Sequence, residues 1–233
     1  MEFMMHTYEL DSVSSLIKRL EKHNKSFCYR GQAKDWPLIP SIGRVGRGGF
    51  DEILQFEQYI MAEFRRLASP YLEKPPQSMA EWVLHAQHHG LPTRLLDWTT
   101  NPLKALYFAV ENGGAEEDAV LWSSDAYAIE WNEEFPNFAA QSTYFHRPTH
   151  LNRRIIAQES IFQVFPLIEK QDVIDPPDMD DIDIFGRVEK FIIPAAKKAD
   201  IKEVLDQIGI NTLSIYQYIN PSKPSHRTFE TST

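Results

Sequence analysis

The sequence is short of cysteine, of positive charge and of long apolar runs, and each shortage closes off a class of protein. One cysteine, Cys28, stands among 233 residues, so no internal disulfide can form and the chain suits a reducing compartment. No stretch reaches the ~20 apolar residues of a membrane-spanning helix. The start, Met1 to His6, lacks the basic flank and apolar core of a secretory signal. A cytoplasmic protein with no membrane partner is the expectation. Lys and Arg total 24 against 33 Asp and Glu, a formal net charge of -9, which argues against a protein that coats duplex nucleic acid through many phosphate contacts.

What is present is core-forming material. Hydrophobic residues make up 42% of the chain and aromatics 12%, which excludes wholesale disorder and suits one large domain. Val13, Leu16, Ile17 and Leu20 recur at helical spacing and predict an amphipathic helix from Ser12 to Lys22. Ser26 to Arg30 reads as a buried strand halted by Gly31, and Gly43 to Gly49 with Arg44 and Arg47 as a basic loop. A mostly apolar stripe that includes Glu57 predicts a long helix from Asp51 to Ala68. Ser78 and Glu81 form a capping box for the next helix, closed by Gly90; Asn101 and Pro102 begin another directly after a short extended segment, Thr93 to Thr100.

The second half reads as strands at Asp118 to Trp122, Arg154 to Gln158, Ile161 to Phe165 and Val188 to Ile193. An acidic loop, Gln171 to Asp183, holds six aspartates, and a last helix from Asp200 to Ile208 is capped by Asp200 and ended by Gly209. The division expected is an N-terminal helical segment over residues 1–24, a domain over 25–220 and a flexible tail over 221–233, in the α+β class.

Two runs carry chemistry. Tyr29-Arg30-Gly31-Gln32 puts a guanidinium at a strand end beside a residue with no side chain; it can clamp a pyrophosphate or carboxylate, or serve an internal salt bridge to Asp97. The run from Gln87 and His88 through Arg94 and Asp97 to Thr99 and Thr100 gathers amide, imidazole, Arg, Asp and hydroxyls. His85 and His89 share a helical face, but no His-Glu-x-x-His motif or cysteine partner accompanies them, so no metal is expected. Read as a strand, Arg154 to Phe162 turns Gln158 and Glu159 to opposite faces, so only one of them can enter a pocket.

Together, Tyr29-Arg30-Gly31-Gln32, Trp36-x-Leu38-x-Pro40-Ser41, the run from Ala86 to Thr99, Asn101-Pro102-Leu103-x-Ala105-Leu106-Tyr107-Phe108-Ala109, the Gln158 segment and Ile192-Ile193-Pro194-Ala195 closely resemble the FRG domain. That family usually shows Gln-x-Gly-x-Phe at the Gln158 segment, where this chain has Ser160 in place of Gly. The motif order also resembles, more distantly, the ADP-ribosyltransferases, and that likeness implies a split mixed β-sheet with flanking helices.

The same likeness implies NAD as substrate. Arg30, Thr99 and Gln158 or Glu159 take the catalytic positions, with a carboxylate stabilising the oxocarbenium-like charge left as nicotinamide departs. Tyr29, Gly31, Gln32, Gln87, His88, Arg94, Asp97 and Thr100 are implied to bind substrate. The expected activity is transfer or hydrolysis of ADP-ribose, with the macromolecular acceptor open and a bacterial toxin or anti-phage effector as the setting. The alternative is a non-catalytic binding module for a protein, a nucleic acid or a nucleotide signal. A third reading gives His88, His89 and Asp97 acid-base work in a hydrolase or nuclease.

Overall fold

A computed structural model describes residues 6–22, 27–112, 116–126, 129–130, 143–148, 153–176 and 187–216. The fold is α+β, as the sequence predicts. Its strands are β1 (His6–Glu9), β2 (Cys28–Gln32), β3 (Leu95–Thr99), β4 (Ala119–Ser124), β5 (Ile129–Glu130), β6 (Tyr144–Arg147), β7 (Ser160–Val164) and β8 (Val188–Ile193). They form one sheet in the order β1-β8-β4-β2-β3-β7-β6-β5. The pairs β1 with β8 and β5 with β6 are parallel, and the others are antiparallel, so the sheet is mixed.

The helices are α1 (Val13–Lys22), α2 (Ile53–Ala68), α3 (Met79–His88), α4 (Pro102–Val110), α5 (Arg153–Gln158), α6 (Lys198–Gln207) and α7 (Thr212–Tyr216). Side-chain alternation assigns the two faces of the sheet. On one face Tyr29, Leu121 and Phe191 bury against Leu16 of α1, Leu106 of α4 and Leu205 of α6. Further along that face Leu95, Phe162 and Val164 bury against Met61 of α2, Trp82 of α3 and Ile155 of α5. The other face carries Cys28, Val120, Trp122, Leu96, Trp98 and Ile161, covered by Leu38, Ile42 and Ile53.

Local chemistry accounts for most boundaries. The Ser78 hydroxyl accepts from the Glu81 N–H at 3.2 Å, while the Glu81 carboxylate takes the Gln77 N–H at 2.7 Å, so the cap is shared with the preceding residue. The Asn101 side chain accepts from the N–H groups of Leu103 and Lys104 at 3.0 and 3.3 Å. Gly90 and Gly209 take φ values of 84° and 87° where α3 and α6 stop, a conformation that costs a side chain-bearing residue energy.

The chain departs from expectation in several places. The segment read as a strand, Arg154 to Gln158, is helical (α5). Strand β3 ends at Thr99, whose partner is Ser160; one more backbone bond follows, from the Thr100 N–H to the Glu159 carbonyl at 3.0 Å, and then α4 begins at Pro102, so the residues before Glu159 have no strand to ladder with. A helix satisfies their backbone instead. Strand β2 runs through Gly31, which pairs with Leu121, to Gln32. Helix α6 begins at Lys198, and Asp200 lies in its first turn without capping it. Strand β1, polar and at the sheet edge, lies within the segment read as purely helical. Part of the acidic loop, residues 177–183, and the tail over 221–233 lie outside the described residues.

Candidate functional site

The seam between β2 and β3 organises the site. Each strand commits its ladder elsewhere, β2 to β4 over five register pairs and β3 to β7 over five. Against each other they register at one position, Tyr29 opposite Thr99. The sheet is therefore split along this seam. Arg30 lies across the opening, and its Nη1 donates to the main-chain carbonyl of Asp97 at 2.5 Å.

Arg30 pairs with Trp122 in register and shares its face, whereas Asp97 lies two residues from Thr99, which shares the face of Tyr29. The Arg30 and Asp97 side chains thus leave the sheet on opposite sides. Burial pulls the Arg30 pKa down to about 10; Asp97 opposes that effect and Arg44 adds to it.

In a strand whose other residues are buried, Asp97 is exposed. Its Oδ1 accepts from Gln87 Nε2 at 2.8 Å. The Gln87 carbonyl accepts from the Thr93 hydroxyl, which itself accepts from the Leu95 N–H at 3.3 Å. The Ser41 hydroxyl takes the Thr93 N–H at 3.0 Å. These bonds hold the carboxylate in the lining of a small cleft between α3 and α5, whose polar lining is Gln87, His88, Asp97, Gln158 and Ser160 with Phe162 beside them. The cleft measures about 80 Å³. Gln158 is 7% exposed, and its Nε2 is buried without a hydrogen-bond partner.

Of the residues singled out in the sequence, Gln87, His88, Asp97 and Gln158 meet here. The others lie elsewhere. Thr99 is buried, donating to the Gln158 carbonyl at 2.6 Å and accepting from the Asn101 N–H at 3.0 Å, so its hydroxyl is already used. Glu159 forms the left-handed link after α5, with φ 49°. Its carboxylate accepts from Lys104 at 2.7 Å, Asn101 at 3.1 Å and Thr100 at 3.3 Å. Burial alone would raise its pKa, but Lys104 and Asn101 hold it below the ordinary carboxylate value.

Arg94 is fully buried and meets Glu57 of α2 through Nε at 2.9 Å and through Nη2. Tyr29 lies in the core, and the Gln32 carbonyl accepts from the Trp122 indole at 2.9 Å. Gly31 serves helix packing: a Cβ there would stand 1.8 Å from the Ala105 carbonyl oxygen.

Residue-by-residue reading of the sequence left out Ser160 as a lining group and Ser41 and Thr93 as groups that hold the site. The sequence also offers Asp97 as the partner of Arg94; the structure gives Arg94 to Glu57 and Asp97 to Gln87 instead, and a Glu inside the apolar stripe of α2 is the signal for that buried cation. His85 and His89 meet edge-to-face with ring centroids 4.7 Å apart, and burial, then His89, lowers the His85 pKa. Among the described residues no group of His, Cys, Asp or Glu is placed to hold a metal ion. Burial pushes the Cys28 thiol up to about 12, so it stays protonated near neutral pH and is no nucleophile.

Residues 25–118 match the family model of the FRG domain. That segment supplies Arg30, Gln87, His88 and Asp97, while Gln158 and Ser160 come from beyond it. No curated protein and no solved structure matches the chain.

Proposed function

We propose that this chain, which carries an FRG domain over residues 25–118, binds NAD or a related nucleotide at the Asp97 cleft and recognises one planar end of it there. The observation that carries this reading is the pairing of two unlike groups in one cleft: a solvent-facing carboxylate on Asp97 and a buried, unpartnered amide on Gln158. An unsatisfied buried amide costs about 1–3 kcal/mol, which a ligand acceptor would return as affinity. The volume of about 80 Å³ is below the ~300–1,000 Å³ of pockets that enclose drug-sized ligands. One ring or amide end enters, and the rest of the nucleotide lies along the mouth.

Binding without turnover through Glu159 is the reading favoured, because the Thr99 hydroxyl and the Glu159 carboxylate both have protein partners. Transfer or hydrolysis of ADP-ribose is the second reading, and Asp97 favours it. As the carboxylate lining the cleft, it is the group able to stabilise positive charge on a ribose as nicotinamide leaves. Arg30 then acts through the Asp97 main chain, as a positioning residue.

Calorimetric titration of NAD, run beside an assay for released nicotinamide, separates the two. Binding that Gln158→Leu weakens, with no release, supports the binding module. Release lost in Asp97→Asn and kept in Glu159→Gln supports the enzyme. Absence of NAD binding to the wild type overturns the nucleotide reading.

A further inference from the structure

The orientation of the Asp97 carboxylate is set from the backbone upward. The Leu95 N–H donates to the Thr93 hydroxyl, so the Thr93 proton is directed to the Gln87 carbonyl oxygen. That leaves the Gln87 NH₂ facing Asp97 Oδ1, at 2.8 Å. Each group in the relay has one role open to it, and the relay ends on a carboxylate whose second oxygen takes no hydrogen bond from any described residue. An ionised carboxylate accepts hydrogen bonds and cannot donate them. Gln158 contributes the complementary group, an Nε2 that donates and has no acceptor in the protein.

We infer that Asp97 and Gln158 make this cleft selective for an uncharged amide-type edge, a carbonyl oxygen beside an N–H, over the corresponding carboxylate. The carbonyl oxygen meets the Gln158 NH₂ and the N–H meets the free Asp97 oxygen. A ligand carboxylate offers two acceptors and a negative charge to a side chain that is itself an anionic acceptor. It leaves Asp97 unsatisfied and repelled, and discrimination of this kind is large because a fixed polar group is left without its partner. Asp97 is thereby a specificity-determining residue, and Gln87 and Thr93 are the positioning residues that hold it.

This inference rests on the proposal that the cleft takes a nucleotide, and the two fail differently. The test titrates NAD and its deamidated counterpart, nicotinic acid adenine dinucleotide, into the wild type and into Asp97→Asn, with thermal melting to confirm folding. The expected result is that the wild type binds NAD on the order of a hundredfold more tightly than the acid. Asp97→Asn, whose side chain can donate to a carboxylate, brings the two within a few-fold by gaining affinity for the acid. Equal binding of both by the wild type overturns the selectivity while leaving nucleotide binding intact, and an unchanged ratio in a folded Asp97→Asn overturns the role of Asp97. Failure of the wild type to bind either dinucleotide overturns the nucleotide reading and the inference with it. The wild-type ratio stands as a test even if the variant does not fold.

Discussion

Arg30 and Asp97 meet through the main chain: the guanidinium donates to the Asp97 carbonyl oxygen at 2.5 Å, and the Asp97 carboxylate turns to the opposite face to take Gln87. One residue of β3 is thus held from both sides of the sheet. The arginine substitutes for the ladder bonds that β2 does not make to β3 beyond Tyr29 and Thr99.

Arg30→Met keeps the apolar stem and removes the donor. It leaves the Asp97 carbonyl without this bond, and the expected loss of stability is about 1–3 kcal/mol, read from the midpoint of denaturant unfolding. A midpoint equal to wild type would show that the seam does not depend on this bond.

Gly31→Ala tests the contact between β2 and α4. The added Cβ would stand 1.8 Å from the Ala105 carbonyl oxygen and 2.7 Å from the Ala109 nitrogen, both backbone atoms that cannot step aside alone. A loss on the order of 3 kcal/mol, or failure to fold, is expected. Gly46→Ala, with nothing within 4 Å of its Cβ, is the matched control and should melt with the wild type.

Arg94→Met strands the Glu57 carboxylate, which is 3% exposed, and should destabilise by about 3–5 kcal/mol. The double variant Arg94→Met with Glu57→Met removes both charges and should recover much of that loss. If the double variant is as unstable as the sum of two independent single losses, the pair is not acting as a buried ion pair.

Stability should fall with acid through His146 on β6. Burial lowers its pKa from the ordinary 6.5 to about 4. Between those values the unfolded chain binds the proton and the folded chain does not, so acid favours unfolding. The contribution is fully present above about pH 6.5 and declines as pH falls toward 4, by at most about 1.4 kcal/mol per pH unit. Unfolding free energies measured across this range should show a shallower decline in His146→Asn. Identical slopes would assign the acid sensitivity to other groups.

Much of the framework was legible in the sequence because it is written in local chemistry. Asn101 before Pro102, Ser78 before Glu81, and Gly90 and Gly209 after apolar runs each mark a helix end, and each is found there. The segment before Ser160 was misread because Ile155 and Ile156 have strand propensity, while the absence of a strand to pair with is a property of the whole sheet. The site was half legible. Gln87 and Asp97 lie ten residues apart in one motif and bond directly. Sequence alone does not show that Arg30 departs from the other face, since that depends on which residues of β2 and β3 stand in register.

Strand order also sets what can fold when. The segment that matches the FRG family, residues 25–118, contains β2 and β3, which register with each other at a single position. Their full partners, β4 from Ala119 and β7 from Ser160, lie after its end. Lys198 of α6, later still, donates to the carbonyls of Ala33 and Glu117 at 2.9 and 2.5 Å. A fragment cut at residue 118 therefore lacks the strands that ladder fully with β2 and β3, and in a chain emerging from the ribosome those two strands wait for residues made later.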